Sequence, residues 1–530
     1  MASTTYQSEL ASAPVQTVAE KPEPRPAEHA SYTQILKSSA LIGGAQAFNI
    51  SIGIVRTKVM AVLLGPAGFG IAGLYNSVVD LTQNIAGLGV NSSGVRQIAE
   101  AVGSDNTDRI ALTVAVLRRT SIVLGAIGAV ALLIFSRQIS VATFGTSRYS
   151  AGIAVMSIAA FCKLVSGGQT ALVQGMRRIA DLAKMNVLGA LFGAIAGVAF
   201  VYLFRENGIV PYVVSIAVGT IVTSWWYSRK IKIDRVAVRV AQVRQEASAL
   251  LKLGLAFMIS SMMTLGVAYG VRVTLLHKLG LQATGFYQSA WTLGGLYVSF
   301  ILQAMAADFY PRLTGRINDH LTCNRLVNEQ ARVGLLLAGP GVIATLTFAP
   351  VIITALYSAK FGGSVPILRW ICLGATLQVI TWPMGFIIVA KGKQKLFIFS
   401  EVAWAVVSLA VAWLSIDRFG LPGAGIAFFV SYVFHGVLVY PIARHLTGFR
   451  WSRENLLLGL SYGSLIALVF CGFYWLPFVL AVSIGATSAL TSTIYSLWAF
   501  SRLVSLDEVP GPLRRLIVAL RPILPPSSAA

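Results

Sequence analysis

Among the cations inside apolar stretches of this chain, four stand out: Arg56 and Lys58 between Leu41 and Leu64, Lys163 within residues 149–175, and Arg272 within residues 247–277. Arginine offers a planar fork of donors that fits phosphate or carboxylate, and lysine offers a compact point charge. Such cations in partly desolvated space, with few acids beside them, select anions, and a pyrophosphate suits the pattern best. Polar side chains accompany them. Asn49 shares a helical face with Arg56, Asn76 and Gln288 lie on the polar faces of the spans that follow Arg56 and Arg272, and Asp80, on the face of Asn76, is the acid placed to pair with Arg56 or to carry a coupling ion.

The elements that position these residues follow from composition. The chain has 530 residues, 56% hydrophobic and 12% charged, with a mean hydropathy of +0.73. That is too apolar for a water-soluble protein and marks an all-α polytopic membrane protein. Crossing the hydrocarbon core as a helix takes about 20 apolar residues, and about fourteen windows of that length appear between residues 36 and 500. They divide the chain into an N-lobe over 34–230, a basic linker over 231–246, a C-lobe over 247–446 and two further spans over 447–500. Residues 1–33, with Pro14, Pro22, Pro24 and Pro26, read as a disordered tail, and 501–530 as a second tail. No cleavable signal sequence is expected.

The net charge of +22 reflects topology more than nucleic-acid binding. Alternate breaks between spans carry most loop cations, including Arg177, Arg178 and Lys184, the run from Arg229 to Arg244, and Lys391, Lys393 and Lys395. By the positive-inside rule those breaks and both termini are cytoplasmic. Cys162, Cys323, Cys372 and Cys471 are isolated from one another, and the five histidines have no Glu or Cys at metal-ligand spacing, so neither disulfides, nor a metal, nor any cofactor is expected.

An internal repeat organises the spans. Residues 73–81, GLYNSVVDL, match residues 285–293, GFYQSAWTL, with Gly, Tyr, Ser and Leu in register and Asn76 opposite Gln288. Each copy follows a Leu-Gly break, Leu64-Gly65 or Leu279-Gly280, and a Val-Arg pair ending in Arg56 or Arg272. Spans 1 and 2 thus correspond to spans 7 and 8, and an even number of spans between them relates two six-helix lobes by a pseudo-two-fold axis along the membrane normal. The polar rows Gln46, Asn49, Gly53, Arg56 and Ser261, Thr264, Ala268, Arg272 then face a wet cavity between the lobes. Arg56 and Arg272 lie about two turns from the ends of their spans, roughly 9 to 12 Å deep. Lys58 is shallow enough to reach the interface instead, and Lys163 is the most deeply placed.

The stretch LLGPAGFGIAGLYNSVVDL after a first span bearing Arg56 resembles the polysaccharide transporter family, in particular O-antigen flippases, within the multidrug/oligosaccharidyl-lipid/polysaccharide exporter superfamily. Gly65, Pro66, Gly68 and Gly70 carry the motif, and the likeness covers residues 34 to 500. It implies alternating access that moves a polyprenyl-pyrophosphate-linked glycan from the inner to the outer leaflet of the bacterial cytoplasmic membrane. It also implies partnership with membrane lipids and with polysaccharide polymerase and chain-length machinery.

Flipping breaks no covalent bond, so no catalytic residues are expected. No GxxxxGK[ST] motif is present, leaving an ion gradient, membrane potential or product trapping as energy sources, with Asp80 ahead of Asp308 and Glu401 as coupling residue. Two alternatives remain at this stage. A drug exporter of the same superfamily would call for buried carboxylates, and a polysaccharide polymerase or ligase for a large outer loop.

Overall fold

The computed structural model describes residues 26–103, 107–233 and 240–503. Most of the two tails and residues 234–239 of the basic linker lie outside them. The described residues are helical throughout, in the order α1 (Pro26–Gly87), α2 (Val90–Gly103), α3 (Thr107–Ile134), α4 (Ser136–Phe144), α5 (Ser150–Gly175), α6 (Ile179–Phe204) and α7 (Ile209–Arg229). The second half follows as α8 (Val240–Gly315), α9 (His320–Leu356), α10 (Ser364–Ala390), α11 (Gln394–Phe419), α12 (Gly423–Thr447), α13 (Arg453–Trp475) and α14 (Phe478–Leu503). In a membrane, helices satisfy every backbone donor and acceptor within one segment, which is why so apolar a chain takes this form.

Both long helices, α1 and α8, are bent at one residue. Gly65 has φ 64° and ψ −174°, and Gly280 has φ 85° and ψ −179°. That conformation is costly for any residue with a Cβ, so each Leu-Gly pair in the sequence is a hinge between two arms. Pro66 follows the first bend directly and opens the second arm of α1, where its missing N–H costs nothing. Ten stretches among the described residues are long and apolar enough to cross a membrane. Gln46–Gly87 and Ile179–Arg229 each contain two arms or helices. Dividing those two and adding the arms of α8 yields the fourteen segments that we propose as the crossings.

Packing repeats as the bends do. In the first half α3 packs on α5, α5 on α7, α6 on α7, and α1 on α6; in the second half α9 packs on α10, α10 on α12, α11 on α12, and α8 on α11. The helices α13 and α14 lie outside this scheme, packing on each other and on α9. Each half has its own apolar interior, built around Leu74, Tyr75 and Met156 in the first and around Tyr287, Tyr357 and Phe361 in the second. The repeat tyrosines Tyr75 and Tyr287 are buried in equivalent places.

Polar contacts fix the helix ends. Asp319 caps α9, its side chain accepting from the Thr322 backbone N–H at 3.1 Å and from the Thr322 hydroxyl at 2.6 Å. These hydrogen bonds, led by the hydroxyl, hold the Asp319 carboxyl below the usual carboxylate range. Lys278 pairs with Asp417 at 3.1 Å and lies over the Trp413 ring, tying the end of one α8 arm to α11.

Candidate functional site

The two halves meet mainly through α1 and α8, the helices that carry the sequence repeat. At the Gly65 end the bends lie back to back. A Cβ added to Gly285 would stand 1.8 Å from the Pro66 carbonyl oxygen, and one on Gly70 would stand 2.7 Å from that of Leu281. Only glycine permits this approach. Phe69 closes the same end, edge-on to Tyr357 at 5.5 Å and to Phe361 at 5.8 Å. Lys58 adds a strut, donating from Nζ to the Thr354 carbonyl at 2.9 Å near the C-terminus of α9, where the helix dipole favours a cation.

At the other end one seam is shut. Gly89 and Gly254 touch so closely that a Cβ on Gly254 would lie 2.2 Å from the Leu88 carbonyl oxygen. Between the ends, Asn84 Nδ2 donates to Ser261 Oγ at 2.5 Å, and near the start of α8 Thr113 donates to Glu246 at 2.7 Å. Gly44 and Gly53 of the first arm of α1 and Gly295 of the second arm of α8 have open space where a Cβ would stand among the described residues, and Phe48 and Val55 are exposed. The interior is therefore sealed at the Gly65 end.

Within that interior the structure gathers Asp80, Lys163, Arg272 and Gln288. Lys163 of α5 pairs with Asp80 of α1 at 2.7 Å, so the acid serves Lys163 and not Arg56. Arg272 is buried. Its Nε donates to Gln288 Oε1 at 2.7 Å and its Nη1 to the Ala268 carbonyl at 2.8 Å, while its guanidinium faces the rings of Tyr287 and Trp291 at about 6 Å. Gln288 is the repeat equivalent of Asn76, and its bond to Arg272 bridges the two arms of α8 across the Gly280 bend. Asp80 also lies within electrostatic reach of Arg272. One carboxylate of the first half thus acts on a cation from each half. A Cβ on Gly73 would meet Gln288 Oε1 at 2.8 Å, so the second arm of α1 packs directly on this group.

Arg56 stands apart. Among the described residues its guanidinium makes no hydrogen bond or ion pair, and its Nε is buried without a partner. Tyr212 of α7 lies within its electrostatic reach. Asn49, two turns back on the same face, has a buried and unpartnered Oδ1, and the intervening Gly53 looks onto open space. Asn76 is turned inward, its amide donating to the Ala72 carbonyl at 2.9 Å on its own helix. The interlobe partner Asn84 was not among the residues singled out from the sequence, although it follows Asp80 by four residues and so shares its face. With Arg56, Lys163 and Arg272 against Asp80 alone, the interior carries an excess of positive charge among the described residues.

A bundle of repeated helical halves, with a polar interior sealed at one end, defines a multi-pass membrane protein of transporter architecture. The family model for polysaccharide biosynthesis proteins matches residues 35–315, more than half of the chain, and the chain belongs to that family. It is similar to the lipid III flippase of Escherichia coli (strain K12), 22% identical over 411 residues that cover 75% of this chain and 95% of the relative. Among solved structures it resembles the lipid II flippase MurJ in an inward closed conformation, with a TM-score of 0.63 at 13% identity, covering 86% of this chain and 98% of that one. It also resembles an inward-facing multidrug resistance transporter of the MATE family, with a TM-score of 0.60 at 16% identity, covering 76% and 96%. These structural likenesses concern the fold. The relatives are named as flippases and transporters, not enzymes.

Proposed function

We propose that this chain flips a polyprenyl-pyrophosphate-linked oligosaccharide, such as an O-antigen or exopolysaccharide repeat unit, across the bacterial inner membrane by alternating access. The observation that carries the reading is Arg56. A guanidinium set within a membrane span, with Nε buried and unpartnered among the described residues, is a donor fork awaiting an acceptor, and a pyrophosphate supplies acceptor oxygens in the matching geometry. The name of the lipid III flippase supports a lipid-linked glycan as cargo.

Both termini face the cytoplasm in this reading, because the loop cations cluster on that side. The sealed Gly65 end is then periplasmic, and the structure is the state that loads from the inner leaflet. Lys163 and Arg272, linked through Asp80, form the remaining cationic wall. A substrate phosphate competing with Asp80 for these cations would loosen a tie between the halves, giving binding a way to trigger the change of state. Lys58, Asn49, Asn76 and Gln288 shape the space around the headgroup.

The test is inner-leaflet accumulation of polyprenyl-linked glycan in cells lacking the protein, complemented by wild type, Arg56→Ala, Arg56→Lys or Arg272→Ala at matched protein levels. Wild type is expected to relieve the accumulation, Arg56→Ala to fail, and Arg56→Lys to restore it partly, since lysine keeps the charge without the fork. Full relief by Arg56→Ala would overturn the assignment.

A further inference from the structure

At the end of the bundle away from the Gly65 bend, two arginines of the first half meet at a corner that the proposed function does not use. Arg118 lies about 16 Å along α3 from Thr107, at 1.5 Å per residue. Its Nη2 donates to the Ser228 carbonyl at 3.4 Å, so this point of α3 is level with the last turn of α7. The next residue of α7 is itself a cation. Arg229 acts electrostatically on Arg118, and its guanidinium lies over the Trp225 ring at 4.1 Å. No carboxylate pairs with either arginine among the described residues. The acid at this corner, Asp181, is taken at 2.7 Å by Arg178, which also donates to the Lys230 carbonyl at 3.3 Å. The surroundings of the two arginines are apolar and open. Val222, Trp225, Trp226 and Arg229 recur at helical spacing on one face of α7, and all four are exposed. Arg118 is exposed on α3, with Ile122 and Val123 exposed one turn further along.

We infer that Arg118 and Arg229 together hold the phosphate of an anionic phospholipid, whose acyl chains lie along the exposed apolar stripes of α3 and α7. The site is separate from the interlobe interior and does not depend on what the chain carries. Two guanidiniums brought together without an acid repel each other, and a bond of 3.4 Å to a neutral carbonyl returns little for that cost. A phosphate between them reverses the sign, because both forks can donate to its oxygens, and such charge-assisted bonds are roughly twice as strong as neutral ones. The forks are available. The bond to Ser228 uses one nitrogen of Arg118, and the Arg229 guanidinium makes no hydrogen bond among the described residues.

The level of the corner decides the source of the phosphate. Apolar side chains left open on a membrane helix face acyl chains, and tryptophans at the cationic end of such a stripe mark the depth of the headgroups. At that depth the phosphates within reach are those of lipids. A corner with unmatched positive charge selects headgroups that carry no cation of their own, such as phosphatidylglycerol, over zwitterionic ones. In the orientation that the loop cations favour, the leaflet is the cytoplasmic one. The bound lipid also has a mechanical consequence, since α3 and α7 both pack on α5, the helix of Lys163, and a headgroup shared by their ends clamps them over it.

The test is native mass spectrometry of the full chain released from detergent micelles, after titration with phosphatidylglycerol, phosphatidylcholine or inorganic phosphate. Wild type should retain phosphatidylglycerol several-fold more tightly than phosphatidylcholine, and inorganic phosphate at equal concentration should not displace it. Arg118→Gln and Arg229→Gln should each weaken that retention several-fold, whereas Lys393→Gln, which removes an exposed cation from the turn between α10 and α11, should leave it unchanged. Because Arg229 is exposed at a helix end, Arg229→Gln should keep the wild-type melting temperature without lipid and lose the rise that phosphatidylglycerol gives wild type. Equal retention of the two lipids, displacement by inorganic phosphate, or an equal loss in Lys393→Gln would each overturn the site. Retention at the wild-type level in both arginine variants would reduce Arg118 to a cap on the end of α7, and the proposal falls.

Discussion

A double-mutant cycle at Asp80 and Lys163 separates a structural tie from a binding group. At a separation of 2.7 Å, two unit charges attract with a gross energy of about 6 kcal/mol at an effective dielectric of about 20. Most of that is offset, because the side chains remain 22% and 41% exposed, and water and frozen rotamers reduce the gain. The net coupling expected is about 1 kcal/mol. Asp80→Asn should cost more than the pair is worth, about 1–2 kcal/mol, since it leaves Lys163 and Arg272 without their shared counter-charge. Lys163→Met should cost about 1 kcal/mol, and the double variant about as much as Asp80→Asn alone. Denaturant unfolding in detergent micelles reads these values. Binding of a polyprenyl pyrophosphate then divides the roles: Asp80→Asn should bind it more tightly and Lys163→Met several-fold more weakly. A coupling below about 0.3 kcal/mol would show that the two residues are not paired in the membrane and refute the reasoning.

Other expectations follow from the same geometry. Gly285→Ala places a Cβ against the Pro66 carbonyl at 1.8 Å, so the Gly65 end must part; a cysteine at Gly53 should then be labelled from the periplasmic side by a membrane-impermeant thiol reagent, and no change in labelling would refute that closure. Arg272→Lys keeps the charge but loses the fork that holds Gln288 and Ala268 together, so it should cut glycan relief at normal protein levels nearly as far as Arg272→Ala, as complementation would reveal. Asp319 provides a pH test: its carboxyl lies below its ordinary range through the bonds from Thr322, so its capping contribution is complete above the unfolded value and lost as pH falls through the folded one. Hydrogen exchange at the start of α9 should speed up on that acidification and be fast at all pH values in Asp319→Ala.

Much of this protein could be derived from its sequence, because composition alone fixes the solvent and the solvent fixes the architecture. With the backbone barred from lipid unless hydrogen-bonded within its own segment, apolar windows of sufficient length could only be helices. The GLYNSVVDL and GFYQSAWTL copies announced the repeat, and the Leu-Gly pairs before them marked the bends later found at Gly65 and Gly280. Of the polar rows, Ser261 meets Asn84 of the other half and Arg272 lies buried. Partner choice was not legible, since a row tells which way a side chain faces and not how far away the next helix stands. Asp80 could have paired with Arg56 on the neighbouring arm, and only the approach of α5 gave it to Lys163. The sequence alone likewise could not give Arg272 its partner Gln288 across the bend, leave Arg56 without a partner among the described residues, or bring Trp404 of α11 against Tyr432 of α12. These were settled by close helix approaches such as Gly285 on Pro66, where packing distances of a few tenths of an ångström decide which polar atoms meet.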